Sequence, residues 1–238
     1  MSAVVLQQVE QLLERARQYE LEASAQPQRA RQLSALRAWQ TQRLLRTYAD
    51  LRRERRYAGA VEFFFSDLYG PKDFSERDRE LARAWSHFRR ALPQSMLRVL
   101  AQAVELQVLT AQLDLALVAA LPVGEVSAAA YAAAYRAVGR RDQRRRQIEL
   151  IVGVGEVLDR AVRRAWIGLA LRAAHAPAHA AGFGVLQDFL ERGFAAFREM
   201  NGAARLLGCI RERESRLMEA LLSGETDAPA LLGMENER

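Results

Sequence analysis

Apolar positions recur along this chain with the period of an α-helix almost from end to end. Val5, Val9, Leu12, Leu13 and Ala16 fall on one stripe of a segment running from about Ser2 to Ser24. After Pro27, Leu33, Leu36, Leu44, Tyr48 and Leu51 keep the same spacing with arginines between them, and the pattern continues through Tyr57 and Val61 to Leu68. Unbroken, this second segment would be a helix of ~40 residues and ~60 Å. Gly59 is the expected kink, and Gly70-Pro71 the expected stop.

Ser75, with Asp78 three residues on, predicts the start of a helix over 76–91. Pro93 opens another that runs to about Leu121. Ser127 caps a short alanine-rich helix to Val138, and Gly139 separates it from a long helix over 140–174. Pro177 is expected to break the chain before a helix over 178–200. Asn201-Gly202 ends that one, and a last helix runs to about Leu222. No run alternates with period two, so no strand is predicted. The expected fold is all-α, a single bundle of about eight helices. Residues 1–56 would form a long, basic helical hairpin arm that projects from or wraps a bundle core of residues 57–222, and residues 223–238 a mobile acidic tail.

Composition narrows this picture. Half of the 238 residues are hydrophobic, enough to build a large core. Cys209 is the single cysteine, so no internal disulfide is possible. The N-terminus lacks a basic start and becomes charged within its first ten residues, so no signal peptide is expected. The most apolar stretch, Met96 to Leu121, carries Arg98, Glu105 and Asp114 and reads as the most buried helix of a cytoplasmic bundle rather than a membrane span. Lys72 is the only lysine beside 34 arginines, a bias that codon usage alone can produce. The net charge of +6 comes from two segments: residues 1–56 and residues 139–172 each carry +5, and the rest of the chain is neutral or acidic.

Three consecutive phenylalanines, Phe63, Phe64 and Phe65, fan over ~200° of a helix surface, wider than one apolar stripe. Either this turn is surrounded by other helices, or some rings wait for a ligand or partner. Tyr69 and Phe74 extend the same candidate surface. The stretches FFFSDLYGPKDF and LQDFLERGFAAF (Leu186 to Phe197) resemble the signature segments of an uncharacterised family of bacterial all-helical proteins. The resemblance covers Tyr57 to Leu222. It implies a helical fold and a bacterial origin, and no activity.

Catalytic and metal-binding motifs are scarce. His175 and His179 have the i, i+4 spacing of a metal pair, but with a helix restarting at Pro177 their rings need not share a face, so no metal is expected. His87, beside Trp85 and Phe88, is a weak candidate for a haem ligand. Glu105 and Asp114 lie in the most apolar helix, where a lone carboxylate is costly. Pairing with arginines of the 140–164 helix is the expected solution. Gly153 and Gly155 suit close helix packing, and Cys209 a core position. Arg52, Arg53, Arg55 and Arg56 form one basic run, and Arg140, Arg141, Arg144, Arg145 and Arg146 another. No recognisable base-reading element accompanies them.

No catalytic site assembles from these residues and no cofactor is called for. The expected function is a non-catalytic interaction or scaffold module of the bacterial cytoplasm, with a protein partner or a second copy bound through the long helices. A bundle that binds haem or a small apolar ligand, and a nucleic-acid-associated protein using the arginine runs, are the alternatives.

Overall fold

The computed structural model describes residues 2–68, 75–88, 94–225 and 232. Tyr69 and Phe74 lie outside the described residues, and so does the side chain of His87. Among the described residues all regular structure is helical. There are eleven α-helices: α1 (Ser2–Ser24), α2 (Pro27–Thr47), α3 (Ala49–Arg53), α4 (Arg55–Glu62), α5 (Ser75–Phe88), α6 (Gln94–Ala120), α7 (Ala128–Val138), α8 (Arg141–Val162), α9 (Ala165–Ala180), α10 (Gly184–Met200) and α11 (Ala204–Ser223). A π-helical segment, Phe63–Leu68, follows α4 directly.

The count exceeds eight because two expected long helices are interrupted where no glycine or proline marks the break. The 28–68 segment breaks at Tyr48 and at Glu54, not at Gly59, which sits inside α4. Tertiary contacts hold both breaks. Arg213 donates to the Thr47 carbonyl at the end of α2 and grips Asp50 through both oxygens at 2.7 and 2.8 Å. The Tyr48 ring is fully buried, its hydroxyl donating to Glu214. Glu54 is held by both terminal nitrogens of Arg205. The 140–174 segment likewise breaks at Arg164, whose backbone is extended, giving α8 and α9. Ser127 does cap α7, its hydroxyl accepting from the Ala130 N–H, and Gly139, Asn201, Gly202 and Gly224 take the positive φ angles that end helices.

Residues 1–56 pack into the bundle. The stripe of α1, Val9 and Leu12 with Leu13 and Ala16, lies along α6 and α5. α2 supplies Leu33, Leu36 and Trp39 to one apolar cluster with α6, α7 and α11, and Leu44 to a second cluster with α4, α8, α10 and α11. Leu232, from the segment read as a tail, is buried in the first cluster. The Arg98–Ala120 stretch of α6 has the length and composition of a membrane-crossing helix. In the fold α1, α2, α7 and α8 pack along it, and both of its inner carboxylates are paired.

A polar layer separates the two apolar clusters. α2 contributes Gln40 and Arg43, α6 Thr110 and Asp114, α8 Arg144 and Gln147, and α11 Glu214. Arg43 donates to both oxygens of Glu214 at 2.6 and 2.7 Å with both groups almost fully buried. Burial opposes the Arg43 charge, but Glu214 beside it pushes its pKa up. Arg144 lies 3.5 Å from the centre of the Tyr135 ring and donates to the Gly139 carbonyl. Asp114 accepts from Arg37 and Gln40, yet burial outweighs both and raises its pKa. The α8 pairing expected for the α6 carboxylates holds for Glu105, which takes both donors of Arg146 at 2.8 and 2.9 Å. Asp114 turns instead to α2, half a helical turn out of phase with Glu105.

Candidate functional site

The three phenylalanines are core residues, 5, 1 and 3% exposed, and so form no docking surface. The wider π turn, bonded i to i+5, lets each ring find a different neighbour. Phe63 packs on Phe189 of α10, with ring centres 5.2 Å apart. Phe64 packs on Phe197, and Phe65 stacks on Tyr48 at 4.8 Å. Gly193 leaves room for the Phe63 ring; a Cβ there would lie 2.6 Å from it. The Phe63–Phe65 turn and the 186–197 stretch are therefore packing partners. Gly155 plays the same part under Leu207 and Phe64, whereas Gly153 faces open space. Cys209 is a free, half-buried thiol packed against the second cluster.

Phe65 also borders a cavity of about 90 Å³ in the polar layer. It is lined by Arg43, Arg144, Asp114, Glu214, Tyr131 and Tyr135 among others. Nε of Arg43 and Nη2 of Arg144 are buried there without a protein partner. The space and its polarity suit a few ordered waters, which would complete both guanidinium groups. A charged lining and so small a volume do not suit haem or an apolar ligand.

The arginine runs do not merge into one surface. Arg56 donates to the Met200 and Asn201 carbonyls at the end of α10. Arg52 pairs with Glu62; Arg53 and Arg55 are exposed. The second run lies instead at the N-terminal end of α8. There Arg141 pairs with Glu219, Arg145 with Asp142 and Arg146 with Glu105; Arg140 lies near Gln143. Arg144 is buried in the polar layer. Ion pairs and helix ends account for most of both runs.

One region departs from the pattern of apolar residues inside. α9, AWIGLALRAAHAPAHA, carries a single arginine and is apolar nearly throughout, yet Gly168 is its only buried residue. It packs chiefly on α10, with a smaller contact to α8. Gly168 sets the close approach: a Cβ there would lie 2.9 Å from the Phe194 ring of α10. The outward side of α9 shows Trp166 at 60% and Leu169 at 59% exposure. Among the described residues six large hydrophobic side chains are exposed, and four of them (these two, Val185 and Leu190) belong to the α9–α10 hairpin. From Arg160 to Gln187 the chain holds Arg160, Arg163, Arg164 and Arg172 and no acidic residue.

Pro177 does not break α9. It sits in the last turn and removes one i→i−4 backbone bond, and side chains on either side of it hold the helix to α10. The His175 and His179 rings consequently lie on one face, with centres 4.5 Å apart. His179 Nε2 is 2.8 Å from Asp188 Oδ1, and His175 Nδ1 is 3.1 Å from both oxygens of Glu191. Buried Gln187 donates to Glu191 and to the Leu171 carbonyl. That bond, with His175 behind it, lowers the Glu191 pKa. Buried Glu80 of α5 accepts from the Leu186 N–H in the first turn of α10, so the hairpin is anchored at its tip.

Residues 7–228 match the family described as Domain of unknown function (DUF8198). No curated protein and no solved structure matches the chain.

Proposed function

The chain belongs to this family, and we propose that it is a non-catalytic interaction protein of the bacterial cytoplasm whose docking surface is the outer face of α9. The observation that carries the reading is the inversion on that helix: one of the most apolar elements of the fold is among the least covered. Contiguous apolar exposure centred on a tryptophan is characteristic of partner surfaces. Covering Trp166 and Leu169 would remove from water the apolar area they still expose, favourable by roughly 25 cal/mol per Å² before the costs of association.

The occupant that fits is an amphipathic helix with an acidic rim. Arg164 and Arg172 flank the apolar side chains with no acidic residue between 160 and 187, while Arg163 is already paired with Asp159. Complementary charge steers a partner and fixes its register, whereas a second copy of the same face would bring like charges together. The long helices named by the sequence are poor docking sites, because the stripes of α1 and α2 are spent inside the bundle. Nucleic acid is disfavoured by the splitting of the arginine runs.

Selection from an unbiased displayed library of helical peptides tests this. Binders are expected to combine apolar residues at i, i+4 with Asp and Glu, and Leu169→Asp is expected to weaken them at least tenfold. Basic binders, binders indifferent to Leu169→Asp, or a concentration-dependent dimer dissolved by the same substitution would contradict it.

A further inference from the structure

The same hairpin carries a second, chemically distinct feature. One ligand atom each from His175, His179 and Asp188 lie within 4.8 Å of one another. We infer that these three residues form a site for a divalent transition-metal ion of the zinc class, with Glu191 and Gln187 as its outer support. Two imidazole nitrogens and one carboxylate oxygen are a donor set that such ions take, leaving a fourth position for water.

The local geometry is already arranged for it. His175 and His179 are one helical turn apart on α9, and Asp188 faces them from α10. Glu191 accepts from Nδ1 of His175, which fixes the tautomer and leaves the Nε2 lone pair for an ion. The carboxylate is held in turn by Gln187, which is 6% exposed and pinned to the Leu171 carbonyl. A histidine ligand oriented by a carboxylate that is itself hydrogen-bonded is the usual outer shell of a metal site. Gly184 keeps the His179 ring in place: a Cβ there would lie 2.7 Å from Nδ1, so the ring fills the space that a side chain would take.

Neighbouring ligand atoms around a tetrahedral ion with bonds of ~2.0–2.2 Å stand ~3.3–3.5 Å apart. His179 and Asp188, now 2.8 Å apart, would open by about half an ångström, and His175 would swing inward. Both the His179 and Asp188 side chains are more than 40% exposed, so the ion has a way in. A bound ion would clamp the last two turns of α9 to α10 across Pro177.

The test uses the full chain without a histidine tag, stripped with a chelator, and two probes, Co²⁺ by visible absorption and Zn²⁺ by calorimetry. The expected result is one ion per chain, with the visible bands of four-coordinate Co²⁺ that Zn²⁺ displaces. His179→Ala and Asp188→Asn should each weaken binding at least tenfold, and Glu191→Gln roughly 10- to 100-fold through the outer shell. Circular dichroism of each variant separates loss of binding from loss of fold. Absence of uptake by the unmodified chain, or uptake unchanged in folded His179→Ala and Asp188→Asn, would overturn the assignment. Neither result depends on whether α9 docks a partner.

Discussion

Gly193 is empty because Phe63 fills its place. A methyl group at that position would sit 2.6 Å from the ring, and neither the π-helical backbone nor the α10 backbone can yield cheaply. Gly193→Ala is therefore expected to destabilise the fold by about 1–3 kcal/mol, read from the midpoint of urea unfolding. Shortening the ring in Phe63→Leu should make the alanine better tolerated, so that the two changes are not additive. Part of this was legible in the sequence. Three adjacent phenylalanines exceed one helix stripe, which says that the turn is either enclosed or waits for a partner. What could not be read is that a π turn splits the three rings among separate neighbours, since that follows from the facing helices. Glu105 found an arginine of α8 as charge and burial demanded. Asp114 did not, because its phase on α6 aims it at α2.

Element boundaries depended on how they are encoded. Local signals worked where backbone geometry itself ends a helix, as at Ser127, Gly139 and Asn201-Gly202. They failed where side chains from distant helices stabilise an end. The break between α2 and α3 rests on Arg213, more than 160 residues away, which satisfies the Thr47 carbonyl and grips Asp50. Pro177 is the reverse case, a strong local breaker overridden by contacts to α10. The Asp50 pair carries a pH signature. Hydrogen bonds from Arg213 lower its pKa from 3.8 to about 2. A carboxylate held lower in the folded state than in the unfolded one adds stability above the unfolded value and loses it as pH falls through the folded one. Asp50→Asn should thus flatten the loss of stability between pH ~4 and ~2. The pair is half-exposed, so the effect at neutral pH should stay within ~1 kcal/mol and shrink in high salt. Acid titration of urea unfolding at two ionic strengths measures it; an unchanged slope would contradict the assignment.

At the scale of the molecule, two apolar clusters joined by a layer of buried ion pairs make one bundle, and α9 rides on its side, held chiefly by α10. The all-helical class follows from periodicity and composition, which are distributed over the whole chain. The exposure of α9 does not, because an apolar helix reads as core whether or not anything covers it. That exposure is the premise on which the docking reading stands, and the tryptophans report it. Trp39 and Trp85 are 7 and 6% exposed, and Trp166 is 60% exposed. Iodide quenching of tryptophan emission in the isolated chain, compared with Trp166→Phe, is the most direct measurement. The expected result is a single quencher-accessible population that Trp166→Phe removes. If iodide reaches no tryptophan, or quenches Trp166→Phe as strongly as the unmodified chain, α9 is already covered and the docking face does not exist.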